Sequence, residues 1–327
     1  MEYEAFLDTI KKSFEHSLGN KYGVILCKVL KNNGVYYDGL GILQGLEHVG
    51  AVISLNSYYE QLKEGTLLDE ILGLISSAVL ESVKGPGIDQ DILENFELVK
   101  DKIVYKLVNT ASNVELLEEV PNIQFLDLSI IFYVDLEENE FGRLSAIIYR
   151  KDIEKWGVSV EELYRLASRN TPQLFPANIG EMGEVISQFS KGQSSDKEQE
   201  EIFERVRTVS FNVPFFVLTN NVGINGSSAM LYEGLLLDFA KRIEESFFII
   251  PISIHESLLL PLSKKECLHK ICEEQLNSVN NYLPLVDWLS YQVYYYNIDD
   301  DSITLSSQGL LNRSANLIHS IEKDEFD

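Results

Sequence analysis

Basic side chains are scarce in this chain: its 327 residues carry 27 Lys and Arg against 51 Asp and Glu, a formal charge of −24. That deficit opposes bulk attraction to a phosphate backbone or an anionic membrane surface, so direct nucleic-acid binding is not expected. Cysteine is scarcer still. Cys27, Cys267 and Cys272 are three in number and form no disulfide framework, which points to reduced thiols. Long apolar runs are also missing: nothing approaches the ~20 consecutive residues of a membrane span. Met1-Glu2-Tyr3-Glu4 has neither the basic start nor the apolar stretch of a signal peptide. A cytoplasmic protein without membrane contact is expected.

Known site patterns are absent as well. Cys267, His269 and Cys272 stand at i, i+2 and i+5, which do not share a helix face, so a common metal would need other backbone or outside ligands. Asp299-Asp300-Asp301 lacks the glycine at the sixth place and the acid at the twelfth, Leu310, that a calcium loop needs. Asn220 to Ser228 contains Gly223 and Gly226 in a strand–loop–helix turn but no phosphate-binding lysine, and it matches neither nucleotide-binding glycine pattern. His255-Glu256 lacks the second histidine of the zinc-protease pattern, because Leu259 stands in its place. No metal or cofactor is expected.

What is there reads as an α+β protein. Hydrophobic residues make up 45% of the chain. The densest apolar signal lies between Val120 and Pro176. Phe125 to Leu136 is β-branched and aromatic enough for one central strand, 137–142 is a polar turn ending in Gly142, and Arg143 to Tyr149 is the returning strand. Ser159-Val160-Glu161-Glu162 fits a capping box ahead of Leu163, Leu166 and Ala167, and Asn170-Thr171-Pro172 is expected to end that helix.

Along the chain, Glu4 to Leu18 has the spacing of an amphipathic helix, and Asn33-Gly34 marks a tight hairpin. Ala51 to Leu55 predicts a third strand, and Leu67 to Val79 a second helix. Gly85-Pro86-Gly87 breaks the chain. Ile88 to Lys100 then predicts a short helix and Ile103 to Asn109 a strand. Beyond a Gly-, Ser- and Glu-rich stretch, Pro214 to Asn220 is a strand and Ala229 to Ile243 a buried helix. Phe247 to Pro251 and Ser257 to Pro261 are strands, Glu266 to Leu276 is helical, and Tyr291 to Tyr296 with Ser302 to Leu305 forms a last hairpin. These elements predict three sequential αβ units with mixed or antiparallel sheets packed on helices: 1–86, 87–179 and 214–327, with 180–213 a polar linker or short helices.

His255 and Glu256 are the most suggestive pair, since an imidazole and a carboxylate on a short turn between apolar strands are suited to acid–base work. No nucleophile adjoins them, and a turn held by a histidine hydrogen bond explains the same residues. Asn220, Ser253, His255 and Glu256 are therefore read as binding candidates, with His255 and Glu256 as weak catalytic ones.

The ordered set Asn56-Ser57-Tyr58-Tyr59-Glu60, Tyr105-Lys106-Leu107-Val108-Asn109, Asn170-Thr171-Pro172, Leu218-Thr219-Asn220 and Ser253-Ile254-His255-Glu256 resembles domain of unknown function fifty-six eighty-eight, a family of uncharacterised bacterial proteins found chiefly in Firmicutes. The likeness runs from about Tyr36 to Tyr296. A fainter one, over the central unit and Phe215 to Leu260, is to domain of unknown function fourteen forty-four. The resemblance implies a bacterial intracellular origin and one continuous architecture, and it brings no catalytic residue. The leading functional reading is a non-enzymatic binding or regulatory protein whose partner is another protein. A hydrolase-like enzyme using His255 and Glu256 with Asn220 nearby, and an acidic inhibitor that mimics DNA, stay open beside it, as does the oligomeric state.

Overall fold

The computed structural model describes residues 1–19, 22–44, 49–84, 93–139, 142–181, 185, 215–269, 271–272 and 283–306. The Gly85-Pro86-Gly87 break, most of the polar segment 180–213, the end of the helix expected over Glu266 to Leu276 and the acidic tail 322–327 fall outside these residues. The fold is α+β. Contacts divide the chain into two compact units, Met1–Lys100 with Glu137–Leu144 and Asp101–Leu136 with Ser145–Asp327.

The first unit is a three-stranded antiparallel sheet with helices on one face. Helix α1 (Tyr3–Leu18) buries Phe6, Ile10 and Phe14, spaced four apart as a single stripe requires. Strands β1 (Tyr22–Leu30) and β2 (Tyr36–Gln44) pair from Leu30↔Tyr36 outward. Asn33 and Gly34 both take positive φ, the conformation for which an Asn-Gly turn is chosen. β3 (Val49–Ser54) completes the sheet, followed by α2 (Asn56–Lys63) and α3 (Leu68–Lys84). Ile71, Ile75 and Val79 of α3 are fully buried with Leu40, Ile42 and Leu55.

The second unit opens with β4 (Ile103–Asn109), after the short helix α4 (Phe96–Val99) that closes the first. Next come α5 (Val114–Glu119), β5 (Asn122–Phe125), β6 (Leu128–Asn139) and β7 (Gly142–Ile147), of which the end of β6 and the start of β7, within 137–144, group with the first unit; β6 pairs antiparallel to β4 and β5 and also carries β7. The single strand expected over Phe125 to Leu136 is thus two strands joined by a turn at Leu126-Asp127. Leu126 has φ +56, which a leucine adopts only at a cost. A tertiary anchor holds it there: the Asp127 carboxylate accepts hydrogen bonds from Ser290 Oγ at 2.6 Å and Tyr294 OH at 2.7 Å. Nothing local to residues 120–136 announces those donors.

Helix α6 (Arg150–Trp156) leads into α7 (Val160–Leu174), whose Ser159 cap accepts the N–H of Glu162 at 3.2 Å. Contrary to expectation, α7 runs through Pro172 to Leu174. Its last turn is tied to β4: Asn170 Nδ2 donates to Ile103 O at 2.9 Å, and Thr171 Oγ1 accepts the Tyr105 N–H at 3.2 Å. Those bonds outweigh the bias against helix before a proline.

A six-stranded antiparallel sheet follows, in the order β13-β12-β10-β11-β9-β8. Its strands are β8 (Ala177–Glu181), β9 (Phe216–Asn220), β10 (Phe247–Pro251), β11 (Ser257–Pro261), β12 (Tyr294–Asn297) and β13 (Ser302–Leu305). Every residue of β10 and β11 is buried, as central strands covered on both faces must be. One face packs Val217, Phe248, Ile250, Leu258 and Leu260 against Leu268 and Ile271. The other carries a ring ladder, Phe216–Phe239–Phe247–Tyr296, with centroid spacings of 5.1, 5.0 and 4.8 Å. Phe239 comes from helix α8 (Leu235–Ile243). The buried helix expected over Ala229 to Ile243 is split: Gly226–Leu231 is 3-10, Gly234 takes φ +73, and only then does α8 begin. Tyr232, between the two, donates its OH to Phe175 O at 2.8 Å and so pins the break.

Two outcomes follow from this packing. Ile131 lies in the middle of β6 at 0% exposure, so Ile131→Asp buries an unpaired carboxylate at a cost of several kcal/mol against a total of roughly 5–15. Soluble yield and cooperative melting should both be lost. Tyr105, in contrast, is fully buried with its hydroxyl bonded to no described residue, and burial drives its ionisation far upward. Tyr105→Phe gives up no hydrogen bond and should melt at or above the wild-type temperature.

Candidate functional site

The four candidate residues meet at one end of the six-stranded sheet. β9 ends at Asn220, whose buried side chain organises the loop beyond it: Oδ1 accepts the N–H groups of Val222 at 3.0 Å and Gly223 at 2.8 Å, and Nδ2 donates to Ile224 O at 2.7 Å. The loop delivers Asn225 and Gly226 to the turn between β10 and β11. Asn225 takes φ +53, which asparagine tolerates better than most residues. Gly226 is there for space. A Cβ on it would lie 2.3 Å from Thr219 Oγ1 and 2.4 Å from His255 O.

Close approach lets Ser227 reach the turn. Its N–H donates to Ile254 O at 3.2 Å, its Oγ donates to Ser253 O at 2.7 Å, and the same Oγ lies 2.8 Å from Ser257 Oγ. Thr219 Oγ1 donates to His255 O at 2.9 Å. Ser253 N–H donates to Glu256 O and Ile254 N–H to Asp287 O, while Ser253 Oγ accepts the N–H groups of His255 and Glu256. Every backbone donor and acceptor of Ser253–Glu256 is therefore satisfied by the protein itself. A buried turn without such partners would lose about 1–3 kcal/mol per group.

His255 closes the arrangement with its ring. Nδ1 accepts the Asn225 N–H at 3.3 Å, so the ring proton of the neutral form sits on Nε2, which faces Asp287 Oδ1 at 3.4 Å. The two side chains are 15% and 19% exposed. Both ring nitrogens are thus occupied, one by a backbone amide and one by a carboxylate, and neither hydrogen-bonds to a hydroxyl among the described residues. Ser253 Oγ and Thr219 Oγ1 bond the His255 backbone rather than its ring, and Ser227 and Ser257 are fully buried and bonded to each other. An acyl-transfer centre wants a nucleophile within about 2.6–3.2 Å of its base. The arrangement here is a latch that fastens the 220–228 loop and residue 287 onto the turn.

Glu256 is buried at 8% exposure beside this latch. The structure thus brings Asn220, Ser253, His255 and Glu256 into one polar network, and it adds Thr219, Asn225, Ser227 and Asp287. Asp287 had no local signal; its role comes from Pro284–Trp288 lying along the turn, where Trp288 bridges to Ser253. Ser228, next to the latch, bonds in the other direction: its Oγ accepts the Leu107 N–H of β4 at 3.1 Å. Asn225 Nδ2 also reaches Tyr133 OH of β6 at 3.4 Å, and Lys106 Nζ lies 5.8 Å from the Tyr133 ring centroid.

Among the described residues no three His, Cys, Asp or Glu side chains are grouped to hold a metal, and no helix is long and apolar enough to cross a membrane. Burial pushes the Cys272 thiol up to about 11, which makes it a poor nucleophile at neutral pH.

Gly226→Ala tests the latch directly. The added methyl must displace backbone on both sides, so the thermal midpoint should fall by several degrees, corresponding to roughly 1–3 kcal/mol.

A model described as a family of unknown function (DUF5688) matches residues 3–298. No curated protein and no solved structure matches the chain.

Proposed function

Taking as premise that the chain belongs to the family of unknown function DUF5688, we propose that it is a non-enzymatic binding or regulatory protein whose partner is another protein. The observation that carries this reading is the occupation of both His255 nitrogens, by the Asn225 amide and the Asp287 carboxylate. A general base needs a nitrogen within reach of the proton it removes. Here the imidazole spends both on holding three chain segments together, and Asn220, Ser253 and the hydroxyls around them are spent the same way. The latch makes a rigid corner at the end of a sheet, which suits a surface presented to a partner more than a site that must exchange protons.

Affinity co-purification of the full chain from its own cells should return a stoichiometric protein partner. Thermal melts of His255→Ala and Glu256→Gln decide between the latch and a catalytic pair. His255→Ala strips the acceptor from the Asn225 N–H, so it should lower stability by about 1–3 kcal/mol. A pair kept for chemistry behaves differently, because active sites are often destabilising. Variants that melt at or above wild type yet lose the response to a small molecule that shifts the wild-type melt would overturn the binding reading in favour of a hydrolase.

A further inference from the structure

Three of the edge strands described for the second unit, β4, β8 and β13, are finished differently. β4 turns Ile103 O and the N–H groups of Tyr105 and Leu107 away from β6, and Asn170, Thr171 and Ser228 bond them. β8 has Arg242 on Ile179 O at 3.4 Å. β13, the opposite edge of the same sheet, has no such cover among the described residues. The Ser306 N–H donates to Val293 O, so by alternation residues 302, 304 and 306 face β12 while the N–H and C=O groups of Ile303 and Leu305 point outward. No described residue bonds them.

β13 also lacks the usual protections of an edge. Ser302-Ile303-Thr304-Leu305 contains no proline and no lysine, and its register with β12 runs without a bulge. Ile303 and Leu305 stand opposite Tyr296 and Tyr294 on the face of the ring ladder, and Leu305 extends that apolar face into solvent at 48% exposure. At the other end of the strand lies the turn of Asp299, Asp300 and Asp301, all exposed. Two of these carboxylates brace the turn, Asp300 through Asn297 Nδ2 and Asp301 through Tyr296 OH, and neither pairs with a cation among the described residues.

We propose that β13 is a strand-addition site for an extended segment of another protein that alternates apolar and basic side chains. The outward backbone groups of Ile303 and Leu305 pair with the segment, its apolar side chains continue the face of Leu305, and its basic ones meet the aspartate turn. A basic segment is also the kind that a chain of charge −24 attracts from a distance. This names a partner class for the binding role above and rests on that reading, although it concerns a different surface from the His255 latch.

The test is fluorescence anisotropy of the full chain with a short labelled peptide of alternating lysine and valine. A lysine–proline peptide of equal length and charge serves as the control, since it cannot pair as a strand. Saturable binding of the first is expected, with the second weaker by about tenfold or more. Ile303→Pro removes an outward N–H without touching the β12 ladder, and it should abolish the difference between the peptides. Asp299→Asn combined with Asp300→Asn should weaken binding and flatten its salt dependence. Hydrogen exchange on the wild-type chain gives a reading independent of any variant's folding: the Ile303 and Leu305 amides should slow when the lysine–valine peptide binds. Equal binding of both peptides, no binding, or unchanged exchange at those amides would overturn the proposal. Those failures leave the His255 melts untouched, so they are distinguishable from failure of the binding reading itself.

Discussion

A strand buried on both faces cannot leave its outer edge unbonded, and β4 is such a strand. Six of its seven residues are buried, so water does not serve the backbone groups it turns away from β6. An unsatisfied buried amide costs as much as a good hydrogen bond is worth, and no further strand among the described residues lies there to take them. The protein solves this with side chains. Asn170 and Thr171 arrive from the last turn of α7, and Ser228 from the 3-10 segment after β9. Because each partner must sit within hydrogen-bond distance of one peptide group, β4 dictates where α7 ends and where the 225–228 segment lies.

The consequence reaches the candidate site. Ser227 and Ser228 are neighbours with opposite duties, one bonded to the 253–256 turn and the other to β4. The four-stranded and six-stranded sheets of the second unit are therefore joined through a two-residue polar pivot. Asp127 makes a second junction, tying the β5–β6 turn to Ser290 and Tyr294. Asn109 makes a third through Leu289 O. Polar networks of this kind are costly when incomplete and selective when complete, which is how a core of interchangeable apolar residues acquires one arrangement. Rigidity is what they supply around His255.

Some of this was legible residue by residue. β10 and β11 begin and end where the runs Phe247–Pro251 and Ser257–Pro261 do, because a strand buried on both faces is apolar at nearly every position. Asn33-Gly34 marked its hairpin through the left-handed backbone that few other residues accept, and Ser159 marked its cap. Asn220, Ser253, His255 and Glu256 could be singled out as polar residues between apolar strands. Their joint arrangement could not be. Thr219 and Ser227 meet the turn from 36 and 26 residues away, and Asp287 meets His255 from 32.

The amino-acid sequence by itself determined the α+β class, the succession of most elements and the acidic charge, since periodicity, turn chemistry and composition act over a few residues. It also carried enough ordered short motifs to display the family resemblance. Tertiary structure alone decided that Pro172 stays inside a helix, that Leu126 turns a strand back on itself, and that His255 is a latch. In each case the deciding energy is a hydrogen bond to a group far along the chain: Tyr105 N–H for Thr171, Ser290 and Tyr294 for Asp127, Asn225 and Asp287 for His255. A local preference of about 1 kcal/mol yields when folding brings such a partner within 3 Å and takes water away.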